Sequence, residues 1–268
     1  MNYSNYHTHT IFCDGTDSAE ELVLEAIRLG CPEIGFSGHS CLSEDTGSMT
    51  PDGTKEYCSE ISRLKDRYAG QIRILLGIEL DYYSELPENE LFDYVIGAVH
   101  YVEKDGILCP VDETRDLFLR TVEDKYRGDF YSFAEDYFAL VADLVRKTGC
   151  DIIAHFDLIS KYNEGNVLFD TMHPRYTAAA DAALDALLES KAILEINTGA
   201  LARGYRKTPY PEDRILRRWL DAGREVILSS DCHDKRMLLY GFEEIAETFP
   251  RPEQLLNRLS LPGVESSC

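Results

Sequence analysis

Short apolar runs alternate along this chain with stretches whose apolar residues recur every three or four positions, and that alternation limits the folds open to it. Residues 33–37, 72–80, 94–99, 151–154, 192–196 and 225–228 read as buried parallel strands. Residues 2–6 are read as a seventh, although composition alone would not show it. Between them, Ser18-Ala-Glu-Glu21 forms a capping box ahead of a helix whose face is Ala19, Leu22, Val23, Ala26 and Ile27, stopped by Gly30. From Phe130 to Thr148 a longer apolar stripe runs up to Gly149. Pro174 and Pro211 are placed in the first turns of two later helices, the second ending at Gly223. Strand–helix alternation throughout predicts an α/β fold, a closed or nearly closed β/α barrel. The alternative is an open doubly wound sheet, but no GxGxxG follows the first strand, which argues against a dinucleotide site. Residues 1–268 are expected to form a single domain, with no linker, repeat or low-complexity segment.

Polar residues cluster where the strands end. His7 and His9 follow the first strand, His39 the second, and Glu79 lies at the end of the third. His100, His155, and the pair Asp231 and His233 follow later ones. Six of the chain's seven histidines occupy these positions, leaving only His173, read as a surface or capping residue. In a β/α barrel the carboxyl ends of the strands converge on one face. Several imidazoles and carboxylates on one face are costly unless cations bind there. Positions i and i+2 of an extended strand point the same way, so His7 and His9 can reach one ion. Mixed nitrogen and oxygen ligation suits zinc, manganese or iron(II), and the number of donors implies two or three divalent ions.

Charge and cysteine content narrow the partners. Asp plus Glu number 48 against 27 Lys plus Arg, giving a net charge of −21. Such a chain is repelled by nucleic acid and by anionic membranes, so neither is expected as a partner. No apolar run is long enough to span a bilayer, and the N-terminus lacks signal-peptide character. The eight cysteines are scattered without a CxxC and are expected to be free thiols of a cytoplasmic protein. Cys13, Cys41 and Cys232, which flank candidate ligands, are read as packing residues.

The segments His7-Thr-His9-Thr, Asp14, Gly38-His39-Ser40, Gly77-Ile-Glu79-Leu-Asp-Tyr82, Gly97-Ala-Val-His100, His155-Phe-Asp-Leu158 and Ser229-Ser-Asp231-Cys-His233 together resemble the PHP (polymerase and histidinol phosphatase) family of metal-dependent phosphoesterases. Within that family the chain is most similar to the histidinol-phosphate phosphatase branch. The resemblance implies a distorted, TIM-barrel-like (β/α)7 barrel with a trinuclear centre. His7, His9, Glu79 and Asp231 would hold one ion, Glu79, His100 and His155 a second, and Asp14, His39 and His233 a third. Relatives often carry Glu before the histidine where this chain has Gly38. Arg203, in Leu201-Ala-Arg203-Gly, and Lys161, in Ile159-Ser-Lys161-Tyr, match the branch's phosphate-binding positions. A guanidinium can grip phosphate oxygens in a bidentate way.

The expected reaction is hydrolysis of a small phosphate monoester, L-histidinol phosphate giving L-histidinol and phosphate in histidine biosynthesis. A metal-bridging hydroxide would attack phosphorus in line with the leaving alkoxide. Glu79, Asp231 and His233 are the catalytic candidates, with Asp231, His233 or bound water protonating that alkoxide. Asp157 is also within sequence reach. Glu44, Asp45, Tyr101 and Tyr205 are candidates for the substrate's amine and imidazole. The rival readings are a phosphotyrosine-protein or nucleotide phosphatase of the same family, a noncatalytic metal-binding module, and a barrel hydrolase acting on C–N bonds. The oligomeric state is not read from the sequence.

Overall fold

The computed structural model describes residues 3–87 and 92–260. Residue 2, the start of the expected first strand, and Cys268 lie outside the described residues. The chain begins with an extended segment, then α1 (Ala19–Leu29), β1 (Glu33–Phe36), α2 (Pro51–Arg67), β2 (Arg73–Asp81) and β3 (Tyr94–Ala98). A hairpin of β4 (Tyr101–Lys104) and β5 (Ile107–Pro110) follows, then α3 (Arg115–Tyr126), α4 (Phe130–Thr148) and β6 (Ile152–Ile153). The last third carries α5 (Pro174–Leu188), β7 (Ile193–Asn197), α6 (Gly199–Ala202), α7 (Asp213–Asp221), β8 (Val226–Ser229), α8 (Phe242–Thr248) and β9 (Leu255–Leu256).

The main sheet runs β1-β2-β3-β6-β7-β8-β9, parallel throughout. Sequential strand order excludes the doubly wound alternative, whose order reverses at a switch point. The opening segment closes the curl. Asn5 bridges to Ile34 and Thr8 to Cys232, so this segment joins β1 to the chain beyond β8. The result is a distorted α/β barrel of the kind expected, with one correction. Over the described residues 3–6 the opening segment is not a regular strand, and β9 supplies the seventh strand of the sheet. Side chains interrupt its ladder: Thr8 Oγ1 donates to the Gly35 carbonyl (2.7 Å), Thr8 N donates to Ser37 Oγ (3.1 Å) and His7 N donates to Asn5 Oδ1 (3.2 Å).

The caps behave as the sequence predicts for α1 and α4. Ser18 and Glu21 form the capping box, and Gly30 and Gly149 take left-handed conformations at the C-caps. Pro174 opens α5, with the His173 side chain accepting from the Arg175 amide as N-cap. Pro211 departs from expectation: it precedes the N-cap residue Glu212 of α7 instead of lying in the first turn. The barrel's lower interior is filled by Tyr6, Leu75, Tyr94, Ile96, Ile152 and Ile227. Tyr94 donates its hydroxyl to the Tyr6 and Phe36 carbonyls and lies against Gly35 and Gly77. A Cβ on Gly77 would fall 2.3 Å from Tyr94 Cζ, so these strands need glycine there. This plug closes the barrel below and leaves the carboxyl ends of the strands to form the mouth. Among the described residues no helix is long and apolar enough to cross a membrane.

Candidate metal centre

Every strand-end residue singled out in the sequence reaches this mouth. Glu79, 1% exposed near the end of β2, lies at the centre. Its Oε1 is 3.1 Å from His155 Nε2, 3.3 Å from His7 Nε2 and 3.4 Å from His100 Nε2. Its Oε2 is 2.9 Å from His39 Nδ1 and 3.5 Å from His9 Nε2. Asp231, beyond β8, places Oδ1 3.2 Å from His9 Nε2 and 3.7 Å from His7 Nε2. Asp231 has φ +47°, a left-handed conformation that costs energy outside glycine and that fixes where its carboxylate points. Asp14, in the turn after His9, places Oδ2 3.1 Å from His233 Nε2 and Oδ1 3.5 Å from His39 Nε2.

These donors fall into three overlapping groups, each with its ligand atoms within 4.8 Å of one another: His7, His9 and Glu79; His39, Glu79 and His100; and His9, Asp14, His39 and His233. The grouping differs in detail from the one the resemblance implies. His39 spans Glu79 and Asp14, and His9 also approaches the outer group.

The electrostatics show why such a cluster suits cations. Burial alone would push the Glu79 carboxyl up, yet His7, His39 and His100 hold it well below the usual carboxylate range. Burial likewise opposes ionisation of Asp231, and Arg203 and His7 outweigh it. Burial would lower His7, but Glu195, Glu79 and Asp231 raise it well above its ordinary value. His9 goes the other way, down to about 3, through burial and the neighbouring His233 and His39. His7 Nε2 is buried without a hydrogen-bond partner. Unpaired buried polar atoms are rare and call for a reason. Nitrogen and carboxylate donors converging from several strands fit divalent metal ions.

Two buried carboxylates support the ligands and were not singled out in the sequence. Glu195 Oε2 is 2.9 Å from His7 Nδ1, while Oε1 accepts from the His155 amide (2.7 Å) and Asn197 Nδ2 (2.7 Å). Asp81 Oδ2 accepts from the His100 amide (3.0 Å) and lies 3.3 Å from its Nδ1. Each is an acidic residue inside an otherwise buried strand, and Asp81 follows Glu79 by two, on the same face. That was the available signal.

A cavity of about 450 Å3 opens over the cluster. Arg203, following α6, lines it; Nη2 donates to Asp231 Oδ2 (3.0 Å), and Nη1 donates to the Asp231 carbonyl (3.0 Å) and lies 3.1 Å from His233 Nδ1. Lys161 also lines it, donating to the Asp112 carboxylate (2.9 Å) and carbonyl (2.8 Å). Glu44, Asp45, Tyr101, Asp112, Glu113 and Tyr205 form further wall. Asp157 takes no part in this wall: its carboxylate accepts from Arg206 (3.2 Å) and the Glu212 amide (3.2 Å) and is fully buried. Cys232 is buried as expected of a packing residue, whereas Cys41 is exposed, and Cys13 Sγ lies 3.5 Å from His9 Nδ1. Cys13, Cys31, Cys41, Cys109, Cys150 and Cys232 form no disulfide.

The fold and site define a class that comparison with known proteins makes explicit. Residues 5–199 match the PHP domain model. The chain belongs to the PHP domain family. A protein of Schizosaccharomyces pombe named "Probable histidinol-phosphatase" is 28% identical over 249 residues, 85% of this chain and 79% of that protein. The histidinol-phosphatase of Bacillus subtilis is 26% identical over 266 residues, 90% of this chain and 97% of that one. The crystal structure of histidinol phosphate phosphatase from Lactococcus lactis, complexed with zinc, L-histidinol and phosphate, is similar in fold. Its TM-score is 0.69 at 21% identity, covering 92% of this chain and 93% of that one.

Proposed function

We propose that this chain is a metal-dependent phosphate monoester hydrolase whose substrate is L-histidinol phosphate, acting as one PHP-type unit in the cytoplasm. One observation carries the reading: seven of the nine candidate metal donors, Asp14, His39, Glu79, His100, His155, Asp231 and His233, line one cavity with two cations, Arg203 and Lys161, and its wall also holds Glu44, Asp45, Asp112 and Glu113. Such a wall suits a substrate that is anionic at its phosphate and cationic at its amine. The names of the curated relatives point to the same substrate.

In this reading His7, His9, Glu79 and Asp231, then Glu79, His100 and His155, then Asp14, His39 and His233, would hold two or three divalent ions, zinc, manganese or iron. Ions bound there supply Lewis acidity toward the phosphoryl oxygens and a more acidic water. Arg203 offsets charge on the non-bridging oxygens, with its planar fork placed beside Asp231. Lys161, held in place by Asp112, adds a second positive charge at the cavity wall. Asp231 and His233 border the cavity, and one of them or bound water would relay a proton to the leaving alkoxide. Glu44, Asp45, Tyr101 and Tyr205 line the same cavity and would meet the organic part of the substrate. Cytoplasmic location is supported by cysteines that form no described disulfide.

The test is side-by-side turnover, on metal-replete protein, of L-histidinol phosphate, a phosphotyrosine peptide and nucleotide monophosphates. The proposal predicts the highest kcat/KM for L-histidinol phosphate. Preference for another ester by about a hundredfold would overturn the substrate. Bound metal with no turnover on the panel would favour a noncatalytic module.

A further inference from the structure

A histidine that ligates through one ring nitrogen needs a partner for the other, and that partner sets the ring's tautomer and orientation. His7 Nδ1 has Glu195 at 2.9 Å, and His100 Nδ1 has Asp81 at 3.3 Å. His9 has a thiol instead. Its Nδ1 lies 3.5 Å from Cys13 Sγ, closer than Asp14 Oδ1 at 3.7 Å.

Cys13 Sγ also lies 3.5 Å from the Thr10 carbonyl oxygen, which can only accept. Two arrangements are possible on paper. Either the S–H points at His9 Nδ1 and Nε2 carries the ring hydrogen, or the S–H donates to Thr10 and the sulfur accepts Nδ1–H. Only the second leaves Nε2 bare. His9 is 1% exposed, and its Nε2 faces Asp231 Oδ1 and Glu79 Oε2 at 3.2 and 3.5 Å. In the metal-centre reading an ion shared with these two carboxylates takes the Nε2 lone pair, and that selects the second arrangement.

The local backbone is shaped to hold this contact. The Cys13 and Gly15 amides both donate to the Thr10 carbonyl at 3.0 Å. A Cβ on Gly15 would sit 2.5 Å from Thr10 N and 2.6 Å from His9 C, so the turn folds directly onto His9. One tight turn thereby presents Cys13 to His9 and Asp14 to His39 and His233.

We infer that Cys13 is a positioning residue: its sulfur accepts the His9 Nδ1 hydrogen and aims Nε2 at the metal position between Glu79 and Asp231. The inference rests on the metal-centre reading. It goes beyond treating Cys13 as packing, because it assigns a hydrogen bond whose loss reaches the ion.

The test is zinc release from the reconstituted full chain into excess chromogenic chelator, with thermal unfolding of the metal-free protein measured in parallel. Cys13→Ala and the near-isosteric Cys13→Val should both release one zinc equivalent faster, by about tenfold or more. Cys13→Ser, which keeps a donor and lone pairs, should stay closer to the parent than to Cys13→Ala. A Cys13→Val protein releasing zinc at the parental rate would overturn the inference, since shape alone would then suffice. Should Cys13→Ala fail to fold, the Val and Ser variants carry the comparison. A parent chain that takes up no zinc would overturn the metal-centre reading and this inference with it. A loaded parent with unchanged variants would overturn this inference alone.

Discussion

Glu195 Oε2 meets His7 Nδ1 at 2.9 Å, with neither side chain exposed to solvent. A carboxylate there turns the other nitrogen of His7 toward Glu79 and Asp231. Glu195→Gln keeps the shape and removes the charge. It should weaken metal affinity by about 10–100-fold. Chelator competition measures this, and parental affinity would show that Glu195 serves only the His155 amide and Asn197.

Arg203 holds Asp231 through Oδ2, while Oδ1 is the oxygen nearer His7 and His9. Arg203→Ala should therefore raise KM for phosphate esters by about tenfold or more while metal content stays at the parental level. Arg203→Lys should recover only part of the loss, because an ammonium lacks the planar fork. Steady-state kinetics with elemental analysis on the same samples checks both. Loss of metal from the alanine variant would contradict the role given to this side chain.

Glu212 lies beside the buried Asp157–Arg206 pair, and burial and Asp157 push its carboxyl up to about 7. Its folded form thus binds a proton more tightly than its unfolded form. The stability this contributes is full below the unfolded value of 4.5 and is lost as pH rises through about 7. The amount is up to about 3 kcal/mol. Glu212→Gln should flatten the fall in Tm between pH 5 and 8 relative to the parent, by several degrees at most. Parallel Tm profiles for the two proteins would contradict it.

Gly77 and Gly35 flank the Tyr94 ring, whose hydroxyl is fixed by two carbonyls. Gly77→Ala should destabilise the chain by about 3 kcal/mol or more, because the ring cannot withdraw from the plug without breaking those bonds. A shifted urea midpoint with unchanged slope would show it. An unchanged midpoint would mean the plug is looser than its geometry indicates.

Much of this arrangement was legible in the residues because barrel geometry turns chain order into proximity. Once the alternation of strand and helix is accepted, His7, His39, Glu79, His100, His155 and Asp231 must share one mouth. Ser18 and Glu21, and the stripe ending at Gly149, announce helices through capping chemistry that needs no tertiary information. Other parts depend on context. Helix α2 buries Thr54, Tyr57, Cys58, Ile61 and Leu64, a stripe diluted by a polar and a thiol side chain, and it escaped notice. The β4–β5 hairpin is only four residues per arm and carries Glu103 and Lys104. Glu195 and Asp81 are acids in buried strands, and their meaning requires knowing which imidazole stands opposite. The contact of Cys13 with His9 depends on a turn whose tightness only the backbone reveals.

The central claim is that Glu79 anchors a cluster of divalent ions at the mouth of the barrel. Elemental analysis of the full chain, after reconstitution with zinc or manganese and removal of loose metal, tests it most directly. The account predicts two or three equivalents per chain, and a loss of at least one in Glu79→Gln together with the loss of phosphatase activity. A parent chain retaining less than about one equivalent, or a Glu79→Gln protein retaining the full complement, would contradict it.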